Sequence, residues 1–160
     1  MLPGSPIRTR FLAPEDPALH PGWPLLDFLM SIGCDEFAVT FMYSGDARAA
    51  CGQLAGRLAF SSLGDRTRER TVTYAGQQNP RAAEGWRLDP SALVALREVM
   101  PAGVLGQPHV RDAWAEDFCV YRQSALVLGV VTHEDLAFLR LTDAEWRRWS
   151  RRSAAQRRAT

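Results

Sequence analysis

Three adjacent residues, His133, Glu134 and Asp135, carry the side chains of this sequence best suited to acid–base chemistry. A histidine beside a carboxylate can be held in one tautomer and act as a general base, or can ligate a metal through its free ring nitrogen. The plainer alternative is a polar hairpin turn, whose neighbouring side chains point in different directions. The triplet is therefore a candidate site for a hydrolytic or metal-assisted enzyme, with His133 and Glu134 as its catalytic residues.

The cysteines are Cys34, Cys51 and Cys119, and their wide separation leaves no CxxC pair for a zinc knuckle or a redox centre. Each lies in an apolar stretch, so we expect three core thiols. Cys119 precedes the His133 turn by one hairpin and shares a strand face with Tyr121, which makes it the candidate nucleophile if the protein is an enzyme. The sequence predicts no cofactor and no metal site.

Arginine supplies all 19 basic residues, because the chain contains no lysine. This composition suggests a GC-rich genome, and it excludes Schiff-base lysines, P-loop lysines and kinase-type lysines. The charge is segregated: residues 145–160 carry six arginines and one acid, whereas the other 144 residues carry 13 arginines and 17 acids. We expect a weakly acidic body with a basic C-terminal tail.

Two sets of residues are candidates for binding. Arg66, Arg68 and Arg70 alternate along a predicted strand, where they could contact phosphates or an acidic partner together with the tail arginines. The alternative for this triplet is the solvated face of an edge strand, which charged residues protect from aggregation. Trp86 and Trp114 are predicted in loops or at their borders, where tryptophan either forms a binding hot spot or fixes the loop to the core.

The length of 160 residues predicts one domain with a substantial core. The longest apolar run, Ala125–Val131, has the length of a strand and is far shorter than a membrane span. Pro3, Pro6 and Pro14 interrupt the N-terminal residues, which lack the apolar region of a signal peptide. We therefore expect a cytoplasmic protein that has no membrane segment.

The periodicity of apolar residues predicts an N-terminal Pro-rich arm over residues 1–23, a single domain over residues 24–150, and a flexible Arg-rich tail over residues 151–160. Four helices are predicted. The first begins at Pro24 and ends at Gly33, and the second covers residues 47–58. The third begins at Asp89-Pro90 and ends before Pro101, and the fourth begins at the capping box Thr142-x-x-Glu145. The predicted strands cover residues 36–43, 66–74, 116–122, 125–132 and 135–141.

This order of elements predicts an α+β fold: a mostly antiparallel sheet with helices packed on one side, and a C-terminal three-strand meander followed by a capped helix. The absence of a coherent catalytic set favours a small non-enzymatic bacterial domain that binds another protein, as an immunity protein, adaptor or inhibitor does. One alternative is the enzyme that uses His133 with a neighbouring carboxylate or Cys119. Another is nucleic-acid binding through Arg66, Arg68, Arg70 and the tail. The sequence predicts no oligomeric state.

Overall fold

The structure is a computed structural model that describes residues 6–13, 16, 18–19, 22–42, 55–68, 81–99, 103, 109–110, 113–131 and 136–157. Its strands are β1 (Ile7–Leu12), β2 (Glu36–Met42), β3 (Ser62–Arg68), β4 (Arg81–Arg87), β5 (His109–Val110), β6 (Ala113–Arg122), β7 (Ala125–Val131) and β8 (Leu136–Thr142). Its helices are α1 (Trp23–Ser31), α2 (Pro90–Val99) and α3 (Asp143–Arg157), and residues 55–58 are helical before a 3-10 turn at Ala59–Ser61.

The eight described strands form one sheet in which every pair is antiparallel. The order is β1-β8-β7-β6-β2-β4-β3, and the short β5 pairs with β6. β6, β7 and β8 form the predicted meander, followed by α3, so the expected α+β fold is confirmed. Gln123 and Ser124 join β6 to β7 with φ angles of 50° and 67°, and two such residues suit the right-handed twist of a tight hairpin.

The described helices cover one side of this sheet, which we call the helix face. Leucines of α1 and α2 pack there against inward-facing side chains of β2, β4, β6, β7 and β8. Leu25, Leu29 and Leu96 have no exposed surface, and burying each such side chain stabilises the fold by about 1.5–3 kcal/mol. Trp146 and Trp149 of α3 join the same core.

The opposite face of the sheet has a second buried apolar cluster, formed by Ala38, Cys119, Tyr121, Leu126 and Phe138. β7 is buried on both sides over Leu126–Val131, which confirms the central position predicted from its apolar run. Between β6 and β7 the register shifts after Val120. This irregularity places Leu126 on the opposite face, while the next two residues of β7 contribute to the helix-face core.

The helix ends follow the local signals in the sequence. At the end of α1, Gly33 has a φ of 88°, and the amides of Gly33 and Cys34 donate to the carbonyls of Met30 and Leu29 at 3.0 Å each, which is a Schellman cap. At the start of α2, the Asp89 carboxylate accepts a 2.8 Å hydrogen bond from the amide of Ala92.

Several elements differ from the sequence prediction. Residues 7–12, expected within the N-terminal arm, form β1, and every residue of β1 pairs with β8. β3 begins earlier than the predicted strand over 66–74, of which residues 69–74 lie outside the described residues, and β4 occupies a segment that was predicted to be a loop. Residues 151–157, expected in the flexible tail, continue α3. Of the helix predicted over 47–58, only residues 55–58 lie in the described part of the chain.

Candidate binding surface

The structure describes only part of the predicted catalytic site. His133, Glu134 and Asp135 lie outside the described residues. Cys119 lies in β6 opposite Ala38 of β2 and Gly129 of β7, and 2% of it is exposed. Cys119 and Cys34 are buried thiols that form no disulfide, which confirms the expected core thiols at these two positions; Cys51 is not among the described residues. The catalytic roles of His133, Glu134 and Cys119 stay predictions.

The two candidate binding tryptophans lie in strands, so the loop position predicted for Trp86 is wrong, and Trp114 lies near the start of a strand. Trp86 is in β4, has no exposed surface and stacks on Phe37 of β2 with ring centroids 5.7 Å apart. The small Gly85 and charged Arg87 beside it suggested a loop, but pairing with β2 and β3 buries it. Trp114 is in β6 and pairs with Met42 of β2. The structure places Trp86 inside the core and away from any binding surface in this conformation.

Arg66 and Arg68 of the arginine triplet lie in β3, at the far end of the described sheet. β3 is the last strand in the order and pairs only with β4 among the described strands, with Arg66 opposite Ala83 and Arg68 opposite Arg81. Arg66 and Arg68 lie on the outermost of the described strands, and the solvated edge face expected for them stays a prediction. Arg70 lies outside the described residues.

One group of polar residues joins the meander to both flanking helices, and we call it the Arg122 cluster: Cys34, Arg122, Thr142 and Glu145. Arg122 donates to the Glu145 carboxylate at 2.6 Å and to the carbonyl of Ile32 at 3.3 Å. The side chains of Arg122 and Glu145 are 24% and 14% exposed. The ion pair is therefore largely shielded from water, and it ties the end of β6 to the ends of α1 and α3.

Glu145 in the Arg122 cluster also completes the capping box of α3. Its carboxylate accepts from the amide and hydroxyl of Thr142 at 2.8 and 3.0 Å, and its own amide donates to the Thr142 hydroxyl at 3.3 Å. Burial works to raise the pKa of Glu145, but the hydrogen bonds from Arg122 and Thr142 and the charge of Arg122 hold it below its usual 4.5. Burial raises the pKa of the Cys34 thiol to about 12, against the opposing charge of Arg122. Cys34 itself is 3% exposed, so this end of the cluster belongs to the folded core.

The outermost strand β1 presents two chemically different sides. Phe11 is 68% exposed and meets Phe138 of β8 edge-on at 6.3 Å on the opposite face of the sheet. Ile7 lies on the same side of the strand as Phe11, because alternate residues of a strand share a face, and it is 62% exposed. We call Ile7 and Phe11 the β1 apolar face. It continues the buried Phe138 cluster out to the edge of the sheet.

The other side of β1 faces α3 and carries arginines. Arg8 pairs with Asp143 at 2.8 Å, and the guanidinium of Arg10 lies 4.5 Å from the centre of the Trp146 ring. The indole N–H of Trp146 donates to the carbonyl of Arg8 at 3.4 Å. The first turns of α3 are therefore attached to β1 by an ion pair, a cation–π contact and a hydrogen bond.

Between β1 and α3 lies an open groove of about 430 Å³, which we call the β1–α3 groove. It is lined by Arg10, Asp143, Trp146, Arg147, Ser150 and Arg151. A smaller groove of about 300 Å³ continues from it past Arg10 and Trp146 and includes Asp16. Arg147 and Arg151 stand one helical turn apart on α3 and are exposed. Within the described part of the chain neither makes an ion pair, so their charge is available to a ligand.

A third groove, of about 350 Å³, lies between the 3-10 turn and α2. It includes Phe60 and Val94, which are 61% and 54% exposed. Its charged residues, Arg57 and Glu98, pair with each other at 3.0 Å. This groove is apolar, but its charges are already matched within the chain.

Sequence reasoning did not find the surface formed by β1 and α3. The alternation of Ile7, Thr9 and Phe11 with Arg8 and Arg10 is a strand pattern of period two, and it was the signal available. The flanking prolines favoured an irregular arm instead. The tail arginines were identified, but their neighbours could not be, because β1 and α3 are separated by more than 130 residues.

No protein-family model matches the chain, and its comparison with curated proteins and with solved structures also finds no match. None of the described helices is long and apolar enough to cross a membrane. Among the described residues, no group of three or more histidine, cysteine or acidic side chains could hold a metal ion.

Proposed function

We propose that this protein is a non-enzymatic domain that binds another protein, of the immunity, adaptor or inhibitor type, and that it docks this partner on β1. The observation that carries the proposal is the β1 apolar face, with Ile7 and Phe11 both more than 60% exposed on the same side of the outermost strand. Isolated exposed apolar residues are ordinary on protein surfaces. Two on one face, continuous with the Phe138 ring, form a patch that a partner can cover.

The residues around the β1 apolar face support a protein partner. Interfaces are enriched in aromatic residues and arginine, with an apolar centre and a polar rim. Phe11 supplies an aromatic anchor, and Arg140 lies 5.1 Å from the centre of the adjacent Phe138 ring. Arg8 and Arg10 lie on the other side of the same strand. A partner that covers β1 would therefore meet apolar and basic groups together.

Charge favours an acidic partner over a second copy of this chain. Symmetric pairing of two β1 strands would bring the arginines of two β1–α3 grooves towards each other, and like charges in an interface oppose association. An acidic surface would meet complementary charge along β1 and α3. Outside residues 145–160 the chain carries 13 arginines and 17 acidic residues, so its body is weakly acidic overall.

Capture of the partner by matched variants tests the proposal. The tagged wild-type chain, an Ile7→Ser/Phe11→Ser variant and a Phe60→Ser/Val94→Ser control are incubated with lysate of the source cell, and stoichiometric partners are identified by mass spectrometry. The partner is then purified, and its Kd for each variant is measured. Circular dichroism and thermal unfolding establish that each variant is folded.

We expect the wild type and the Phe60/Val94 control to bind the same partner. The β1 variant should bind at least about 100-fold more weakly, because two apolar side chains that become buried in the complex each contribute about 1.5–3 kcal/mol. Equal affinity of all three folded chains would refute docking on β1. Loss of binding only in the Phe60/Val94 variant would place the interface on the groove beside α2.

A further inference from the structure

We propose that the β1–α3 groove is a carboxylate-binding site, in which Arg10, Arg147 and Arg151 receive an acidic group of the partner. This inference rests on the proposed function and names the chemistry that the partner must present. Guanidinium groups are planar donors that bind a carboxylate through two parallel hydrogen bonds. Three of them line one groove of about 430 Å³.

The positions of the three arginines favour a ligand over a structural role. In the Arg122 cluster, the guanidinium already has a carboxylate at 2.6 Å. In the β1–α3 groove, Asp143 is the acidic lining residue, and it pairs with Arg8 at 2.8 Å. Arg147 and Arg151 make no ion pair within the described residues. The groove therefore has an excess of positive charge that the described residues do not neutralise.

Trp146 restricts the conformation of the Arg10 side chain before a ligand binds. The guanidinium of Arg10 lies over the Trp146 ring at 4.5 Å, and the indole is itself fixed by its hydrogen bond to the carbonyl of Arg8. A stacked guanidinium keeps its N–H groups available at the edge, while its rotamers are restricted. Restricting Arg10 before binding lowers the entropy cost of recognising the ligand.

The lining favours a carboxylate over a run of phosphates. Asp143 borders the β1–α3 groove and Asp16 borders its continuation, so an extended polyanion would meet negative charge at both places. A single carboxylate between Arg10, Arg147 and Arg151 avoids both aspartates. The neighbouring β1 apolar face also suits a polypeptide, whose apolar side chains can cover Ile7 and Phe11.

A peptide titration followed by NMR tests this inference. The full-length ¹⁵N-labelled protein is titrated with acetylated and amidated tetraglutamate, with the matching tetraglutamine, with acetylated tetraalanine that has a free C-terminal carboxylate, and with inorganic phosphate. The indole N–H signal of Trp146 and the Nε–H signals of the three arginines report on the groove. The Arg147→Gln/Arg151→Gln variant is compared with Arg148→Gln/Arg152→Gln, which removes the same charge from an adjacent strip of α3.

We expect saturable shifts of the Trp146 and arginine signals with a carboxylate peptide and none with tetraglutamine. Binding of tetraglutamate would identify acidic side chains as the source, and binding of the tetraalanine peptide would identify a chain terminus; either result supports the site. The Arg147/Arg151 variant should bind at least about tenfold more weakly, which corresponds to about 1.4 kcal/mol. The Arg148/Arg152 control should bind within about twofold of wild type.

Three results would overturn the carboxylate site: no saturable shift, an equal loss in both double variants, or tighter binding of phosphate than of either carboxylate peptide. The Ile7→Ser/Phe11→Ser variant separates this inference from the proposed function. If this variant still binds the peptides but no longer binds the partner, both the carboxylate site and docking on β1 are supported. If peptides do not bind while the partner still requires Ile7 and Phe11, only the carboxylate site fails.

Discussion

The Arg122 cluster and the β1–α3 groove use the same chemistry in opposite ways. Both combine arginine with an acidic residue from the first turn of α3, Glu145 in the cluster and Asp143 in the groove. Arg122 and Glu145 are mostly buried and hydrogen-bonded to each other and to neighbouring groups. Arg8 and Asp143 are 59% and 33% exposed, and two further arginines beside them make no ion pair within the described residues.

The two regions differ in how far solvent reaches their charged side chains. A shielded ion pair is strong, but its charges are matched within the fold and cannot serve a ligand. Exposed arginines add little to stability and keep their hydrogen-bonding capacity for a partner. The Arg122 cluster therefore holds α1, the meander and α3 together, whereas the arginines of the β1–α3 groove remain exposed to solvent.

The largest expected effect concerns the reactivity of Cys34, which reports how well the Arg122 cluster excludes water. Its pKa of about 12, raised from 9.0 by burial, leaves about 1000-fold less thiolate at pH 8, and the thiolate is the reactive form. A Cys51→Ser/Cys119→Ala variant leaves Cys34 as the sole thiol. We expect iodoacetamide to modify it at least about 1000-fold more slowly in the folded state than in urea.

The sign of the Cys34 shift also gives a pH dependence. The folded state favours the neutral thiol, so this contribution to stability is complete below pH 9 and falls as the pH rises towards 12. A folded-state alkylation rate within tenfold of the unfolded rate would show that water reaches the Arg122 cluster, and the contrast with the groove would be lost.

Glu145→Gln should produce the largest loss of stability among the charged residues of α3. Glutamine keeps the capping-box geometry but leaves Arg122 without its carboxylate in a shielded position, which costs about 1.5–3 kcal/mol. The measurement is urea unfolding at pH 7. Asp143→Asn is the matched control from the same helical turn, and its exposed ion pair should contribute less than about 1 kcal/mol. Equal losses in the two variants would contradict the distinction between shielded and exposed pairs.

The contribution of Glu145 should disappear in acid. Its pKa is lowered in the folded state, so the stabilisation is complete above pH 4.5 and is lost as the pH falls through the lower folded value. We therefore expect the difference in unfolding free energy between wild type and Glu145→Gln to be constant from pH 7 to about pH 5 and to shrink towards pH 3. A difference that does not change over this range would mean that the carboxylate is not the source of the stabilisation.

The smallest expected effect is that of the groove arginines on stability. Arg147→Gln/Arg151→Gln should change the unfolding free energy by no more than about 0.5 kcal/mol, because these exposed side chains make no ion pair within the described residues. Urea unfolding at pH 7 measures this value alongside the Glu145 variants. A loss above 1 kcal/mol would indicate that the two arginines stabilise the fold.

The sequence predicted the parts of the fold that depend on neighbouring residues. Asp89 caps α2 and Thr142 with Glu145 forms the capping box because cap residues interact three positions apart. Gly33 ends α1 because it readily adopts a positive φ. The meander was predicted because its strands are adjacent along the chain and their apolar residues follow a clear period.

The parts that depend on distant contacts were not predicted. β1 resembles a charged arm in sequence, and its pairing with β8 alone makes it a strand. Trp86 stands beside a glycine and an arginine, and only the pairing of β4 with β2 encloses it. The β1–α3 groove brings Arg10 and Arg147 to the same surface, and no local pattern reports that proximity. Its candidate residues in α3 were recognisable as a basic segment, while those in β1 were not.

The most direct measurement of the central claim compares the affinities of two charge-matched variants for the purified partner. Arg147→Gln/Arg151→Gln removes the groove charges, and Arg148→Gln/Arg152→Gln removes the same number from the adjacent strip of the same helix. If the unpaired arginines of the β1–α3 groove bind the partner, the first variant should have a Kd at least about tenfold higher than wild type and the second a Kd within about twofold. Equal Kd values for both variants would contradict the claim.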